Sequence, residues 1–247
     1  MDEVVLRAVE RAVDTMRQNL GDRLTVDDLA RSAMFSKFHF TRVFQRVTGL
    51  SPGRFLSAVR LAEAKRLLVS TSLTVADISH QVGYNSVGTF SSRFRSSVGV
   101  SPTTYRQLGG MTAPAQPAEP PVPQTRTTVR GHIVTPADQP FGPIFVGLFP
   151  GRILEAPAVR HTVLAEPGPY ALADVPPGRW YLLAYRAARR TGGIDVPPHV
   201  GSSGPIDIEP HITARLADVR LRPRHVLDPP VLMALQDVRP AVAQAAS

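Results

Sequence analysis

The sequence predicts a multidomain chain, an all-α half followed by an all-β half, and three observations carry this. Proline is confined almost wholly to one side: of 24 prolines only Pro52 and Pro102 precede residue 109. The spacing of apolar residues changes from the 3.6-residue helical period to strand-like alternation across the same point. The first half also repeats itself. Thr25-Val26 aligns with Thr74-Val75 at an offset of 49, and after one extra residue at Asn85 the match runs on to Ser51-Pro52 against Ser101-Pro102. A length of 247 residues suits two small domains.

Composition narrows the functional classes. The net charge of +8 is uneven, with 15 Lys/Arg against 9 Asp/Glu up to residue 108 and 13 against 11 beyond it. The absence of Cys excludes disulfide frameworks, zinc ribbons and thiol catalysis. No stretch approaches the roughly 18 uncharged apolar residues of a membrane span. Met1-Asp2-Glu3 opens on acids rather than a basic signal region, so the expected location is the cytoplasm, away from any membrane.

The first predicted element is an amphipathic helix with Val5, Val9, Ala12, Met16 and Leu20 on one face. Each copy of the repeat follows. Thr25 and Thr74 are N-cap hydroxyls, with Asp28 and Asp77 three residues on, a pairing that satisfies N–H groups orphaned at a helix start. After a short break Ser36 and Ser86 are N-cap candidates for a second helix in each copy. Phe40, Val43, Phe44 and Val47 form its inner stripe in the first. Gly49 and Gly99 end these helices, and Ser51-Pro52 and Ser101-Pro102 start new ones with Pro at the first position. Each copy therefore reads as a helix-turn-helix. Between them Pro52 to about Ser70 forms a connecting helix, roughly 28 Å long at 1.5 Å per residue. One turn of B-DNA is about 34 Å, so the spacing suits two helices in successive major grooves.

Residues 1–108 resemble the paired helix-turn-helix domain of AraC/XylS-type transcription regulators. The resemblance rests on A-x-x-x-x-F-S-K-F-H-F-x-R-x-F from Ala30 and V-G-Y-N-S-V-G-T-F-S-S-R-F-R from Val82, each leading into S-P. It implies binding to double-stranded DNA, sequence-specific regulation, and often activation through RNA polymerase. The reading helices are 36–48 and 86–98. Expected base contacts are Phe38, Thr41, Arg42 and Gln45 from the first, and Gly88, Ser91 and Ser92 from the second. Arg can donate twice to guanine, Gln can pair with adenine, and Thr or Phe can touch a thymine methyl. Expected phosphate contacts are Ser36, Lys37, Arg46, Ser86, Arg93 and Arg95. The second helix departs from the family: Ser92 stands where Arg is common, and Arg93 replaces apolar Val43, so it must leave the core. Base discrimination is therefore expected mainly from the first helix. His39 and His80 have no further ligand at metal spacing and are read as surface or interface residues.

Residues 109–124 form a Pro-rich linker, and 125–222 read as a small antiparallel β-sandwich. The strand signals are Thr127 to Ile133, Ile144 to Phe149 (covered on both faces), Trp180 to Tyr185, and Ile212 to Leu221 with a one-residue slip suggesting a bulge. The segment from Gly168 to Tyr185, with the V-x-G-x-I strand at Val129, resembles carboxypeptidase-regulatory, transthyretin-like modules. Tyr170, Trp180, Tyr181 and Tyr185 are a candidate patch for a small-molecule effector or for self-association. The tail, 223–247, holds one apolar run, Val231 to Leu235, expected as a short helix. No catalytic motif, phosphate loop or metal set occurs, so no enzyme and no cofactor is expected. The leading expectation is a DNA-binding transcription regulator. The alternative is a binding or scaffold protein whose sandwich engages a carbohydrate or protein, with DNA binding secondary.

Overall fold

The computed structural model describes residues 3–110, 127–136, 142–155, 157–191 and 194–234. These form a helical unit and a unit of β-strands. The expected linker from 111 to 124 and the end of the tail lie outside the described residues.

The helical unit contains α1 (Glu3–Gln18), α2 (Val26–Ser32), α3 (Lys37–Thr48), α4 (Pro52–Ser70), α5 (Val75–Gln81), α6 (Val87–Val98) and α7 (Pro102–Gln107). Both expected capping boxes form. Thr25 Oγ1 accepts from the Asp28 N–H at 3.2 Å, and the Asp28 carboxylate accepts from the Thr25 N–H at 2.9 Å. Thr74 and Asp77 do the same at 3.1 and 3.2 Å. The hydrogen bonds from each threonine hold both carboxyl groups below the ordinary aspartate range, so the caps persist at neutral pH and loosen only in strong acid. Ser51, Ser86 and Ser101 cap α4, α6 and α7 through their hydroxyls. Ser36 does not: it has the extended backbone of a cap, φ −67° and ψ 152°, but its side chain makes no capping bond.

Packing follows the apolar stripes. Phe40 and Phe44, one turn apart on α3, are fully buried, with centroids 5.4 Å apart, and Phe44 meets Phe55 of α4 edge-on at 5.4 Å. The second copy repeats this with Phe90 and Phe94 on α6 at 5.7 Å, Phe94 meeting Tyr105 of α7 at 5.6 Å. The two turns differ at equivalent positions. Met34 and Gly83 both have left-handed backbone, φ 61° and 82°. Met34 is 81% exposed and can place its side chain in solvent. A Cβ on Gly83 would stand 2.2 Å from the Leu20 carbonyl oxygen, so only glycine fits.

Two later segments also belong to this unit, 152–155 and 225–234. Ile153, Leu227 and Leu232 join the same apolar cluster as the phenylalanines. The helix expected at 231–235 is absent over its described part. The N–H groups of Leu232 and Met233 donate to the Leu154 carbonyl at 2.8 and 2.9 Å, and that of Ala234 to Val98 at 3.4 Å, instead of to carbonyls four residues back.

The strand unit contains β1 (Thr128–Val134), β2 (Ile144–Phe149), β3 (Arg160–Leu164), β4 (Pro169–Leu172), β5 (Gly178–Arg186), β6 (Arg189–Thr191), β7 (Ile194–Val196), β8 (His199–Ile208), β9 (Ala214–Leu216), β10 (Val219–Arg220) and β11 (Arg222–Pro223). A five-stranded sheet runs β11-β8-β5-β2-β3. A four-stranded sheet has β1 at its centre, between β4 and the successive pieces β9 and β10; β6 and β7 pair separately. The two larger sheets share one apolar cluster, including Val129, Ile133, Val146, Leu148, Leu172, Leu182, Ile206 and Val219. β2 is buried on both faces, as its sequence requires.

Two expectations are corrected. The strands are not all antiparallel, because β9 and β10 run parallel to β1. The slip after Leu216 is not a bulge: Arg130 pairs with Leu216 and Ile133 with Val219, so both sides advance equally. The ladder is interrupted instead, where Asp218 Oδ1 accepts the His132 N–H at 2.8 Å.

Gly83→Ala is expected to cost roughly 2 kcal/mol or more, from left-handed strain plus the carbonyl clash. Phe44→Ala and Phe94→Ala should each cost about 3–5 kcal/mol by leaving cavities. Urea unfolding followed by helical circular dichroism measures all three; a Gly83→Ala chain as stable as the parent would contradict the packing described.

Candidate nucleic-acid interface

Burial of Phe40, Val43 and Phe44 turns the opposite face of α3 outward. That face carries Phe38, which is 88% exposed, with Lys37, Arg42, Gln45 and Arg46, all exposed. Thr41 is half-buried and its hydroxyl donates to the Lys37 carbonyl at 2.9 Å. Among the described residues neither Arg42 nor Arg46 has an acidic partner. Lys37 has one: its ammonium lies 2.8 Å from the Asp27 carboxylate of α2. The helix itself holds no acid, so this pairing was not legible from its own sequence. To reach a phosphate Lys37 must exchange one anion for another. Ser36 is exposed at the start of the helix.

On α6 the matching positions are smaller. Gly88 and Ser92 are exposed and Ser91 is half-buried. The Ser86 hydroxyl accepts from the Thr89 N–H at 3.4 Å. Arg93 occupies the place of Val43 and, as its charge requires, is exposed, as is Arg95. A Cβ on Gly88 would meet nothing nearer than the Ser86 hydroxyl at 3.7 Å, so nothing in the fold demands glycine there. The first helix thus offers a forked cation, an amide and an aromatic ring; the second offers hydroxyls and two arginines. The first set can discriminate base edges, whereas the second is better suited to phosphates.

The α4 helix separates the copies with 19 residues, about 28 Å of axis. His39 is exposed, its ring 4.6 Å from Phe35, and His80 is exposed. Among the described residues no group of three His, Asp or Glu could hold a metal ion, and no helix is long and apolar enough to cross a membrane.

Residues 29–108 match a family described as a helix-turn-helix domain. The chain is 34% identical over 104 residues to the lactose operon transcription activator of Staphylococcus xylosus, covering 42% of this chain and 37% of that one. It is 36% identical over 88 residues to the HTH-type transcriptional activator AarP of Providencia stuartii, covering 36% and 65%. A solved transcriptional regulator with an AraC-type DNA-binding domain, from Chromobacterium violaceum, is 27% identical, with 47% of this chain and 96% of that one covered at a TM-score of 0.41. Residues 29–108 of the chain therefore carry a helix-turn-helix domain. The chain spans less than two thirds of either relative's length. The match to the helix-turn-helix family ends at Leu108, before the strands begin.

The four aromatic residues expected as one patch in the strand unit are divided. Tyr170 is buried, and its hydroxyl donates to the Ala217 carbonyl at 2.5 Å, so burial pushes its phenol pKa upward. Trp180 packs on the shared apolar cluster and donates to the Pro176 carbonyl at 2.9 Å. Tyr181 and Tyr185 instead stand in register with Phe149 and Phe145 of β2, which lie outside that cluster. Alternation along β5 sends Trp180 and Tyr181 to different sides. The same unit buries a histidine: His199 Nδ1 lies 2.9 Å from an Arg186 guanidinium nitrogen, and among the described residues its Nε2 has no hydrogen-bond partner. Burial first, then the neighbouring arginine, holds its pKa below the ordinary histidine value.

Gly88→Ala should raise the thermal midpoint of the helical unit, by up to about 1 kcal/mol of helix propensity. An unchanged or lower midpoint would mean that glycine serves the fold. For His199 the unfolded chain binds a proton more readily than the folded one. Stability of the strand unit should therefore be full above about pH 6.5 and fall as the pH drops below it. Thermal melts from pH 7.5 to 5 should show this decline, with a flatter profile for His199→Gln.

Proposed function

We propose that the chain is a sequence-specific DNA-binding transcription regulator, reading two successive major grooves through α3 and α6. The observation that carries this is the α3 face: an exposed phenylalanine beside Arg42, Gln45 and Arg46, turned outward by a buried phenylalanine pair and repeated in outline on α6. An exposed aromatic is a poor choice for a purely solvated face, and it suits contact with a thymine methyl. Base contacts fall to Phe38, Thr41, Arg42 and Gln45, with Gly88, Ser91 and Ser92 giving close approach and weak readout. Phosphate contacts fall to Ser36, Lys37, Arg46, Ser86, Arg93 and Arg95. The two curated relatives bear activator names, which supports activation as the regulatory mode, with RNA polymerase as the proposed partner. Residues 1–108 are the DNA-binding part and 109–124 the linker. The strand unit, 125–222, is a transthyretin-like sandwich that adjusts regulation through an effector or self-association; its two sheets, which share one apolar cluster, support that type.

Selection from a random duplex pool by the full chain tests the reading. A defined motif should emerge, with affinity falling steeply as salt rises because bound cations release counterions from phosphates. Arg42→Ala should cost roughly 1–3 kcal/mol and relax base preference in one half of the motif, whereas Ser92→Ala should leave it nearly unchanged. No enriched motif, or the opposite ranking of these variants, would overturn the proposal.

A further inference from the structure

The helical unit holds a carboxylate that the reading helices do not explain. Glu155 pairs through Oε1 with Arg54, in the first turn of α4, and through Oε2 accepts the Ser97 hydroxyl, in the last turn of α6, at 3.1 Å. Ser97 is only 2% exposed. One side chain therefore joins the helix that leaves the first helix-turn-helix to the reading helix of the second.

Its surroundings make this join firm. Ile153 and Leu154, just before it, are buried, and the Leu154 carbonyl takes both the Leu232 and Met233 N–H groups. Ala234 then satisfies the Val98 carbonyl at the end of α6, one of the acceptors a helix leaves without an internal partner. In the second half of α4, the Lys65 ammonium donates to the carbonyls of Leu232 at 2.7 Å and Val231 at 3.2 Å, and lies 5.7 Å from the Tyr105 ring of α7. On the first copy's side Arg17 of α1 donates to the Val226 carbonyl at 3.2 Å. Residues 152–155 and 225–234 thus form a two-piece strap that touches α1, α4 and α6.

Each helix-turn-helix already has its own caps and its own phenylalanine pair, so the strap is not needed to form either. What it adds is a fixed relation between them. We infer that Glu155 is a positioning residue for DNA readout: by tying the start of α4 to the end of α6, it holds α3 and α6 at one separation and so sets the half-site spacing the chain accepts. The inference rests on the DNA-reading function proposed above. DNA offers its major groove at a fixed repeat of about 10–10.5 base pairs, so a rigid pair of helices discriminates against altered spacing, whereas a loosened pair does not.

The experiment uses the full chain and its selected duplex, together with the same duplex carrying one inserted or deleted base pair between the half-sites. The parent should prefer the selected spacing strongly. Glu155→Ala should shrink that preference by about threefold or more, the size of one partly exposed ion pair, while base preference within each half-site stays unchanged. Glu155→Gln, which can still accept from Ser97, should lie between them. A uniform loss of affinity on every duplex, or an unchanged spacing preference, would overturn the inference. If Glu155→Ala fails to fold, Ser97→Ala removes a single hydrogen bond and carries the same comparison. Hydrogen exchange without DNA gives an independent readout: amides of residues 97–100 should exchange several-fold faster in the variant, as one weak polar contact is lost. Unchanged exchange there refutes the strap, whereas a parent that selects no motif refutes only the DNA-reading function.

Discussion

Everything in the helical unit depends on two buried phenylalanine pairs, Phe40 with Phe44 and Phe90 with Phe94. Rings four residues apart lie on one face of a helix, so burying both fixes its rotation about its axis. That rotation decides which residues face outward. On α3 the outward set is Phe38, Arg42 and Gln45; on α6 it is Gly88, Ser92 and Arg95. Phe55 and Tyr105 then receive the pairs edge-on from α4 and α7, so each reading helix is locked by the helix that follows it. The chemistry of the exposed face is thus set by apolar residues that never meet a ligand.

The duplication shows how the same constraint is met twice with different freedom. At the turn before the reading helix the backbone is left-handed in both copies, at Met34 and at Gly83. The first copy keeps a side chain because that turn faces solvent. The second cannot, because the Leu20 carbonyl approaches and is itself held by Arg60 Nε at 3.1 Å. Gly83 therefore marks where the loop after α1 is stitched to the second copy. Gly88 is the opposite case: it has room for a side chain and lacks one on the exposed face proposed to meet DNA, where a missing side chain would let the backbone approach more closely.

Most of the helical unit was legible because its signals are local. Caps at Thr25, Thr74, Ser51 and Ser101, glycines at Gly49 and Gly99, and stripes of period 3.6 act within one or two turns. The outward residues of both reading helices were legible for the same reason. What escaped was non-local. Asp27 reaches Lys37 across a turn, and Glu155 reaches Arg54 from about a hundred residues away; neither spacing leaves a periodic mark. In the strand unit, alternation identified β1, β2 and β5 and the double-sided burial of β2. It could not give direction, because an alternating strand looks the same whether its partner runs parallel or antiparallel, and β9 and β10 run parallel to β1. Nor could alternation keep the aromatic residues together, since neighbouring positions on one strand face opposite ways.

The strap also explains a chemical choice that composition alone leaves odd. The run Val231 to Ala234 has apolar side chains suited to a helix, yet its carbonyls are turned toward Lys65 and its N–H groups toward Leu154 and Val98. A segment that spends its backbone groups on neighbours cannot also satisfy them internally, so it does not close into a helix, and Leu232 joins the apolar cluster. Lys65 is one of only two lysines among 28 basic residues. Its compact ammonium, with three donors on a flexible stem, fits a cluster of carbonyls better than a planar guanidinium does. Arg54 instead meets an acid, Glu155, and Arg42 is proposed to meet a base edge. At Lys65 the partner is a set of backbone oxygens from Val231 to Met233, which is the geometry that closes the strap on α4.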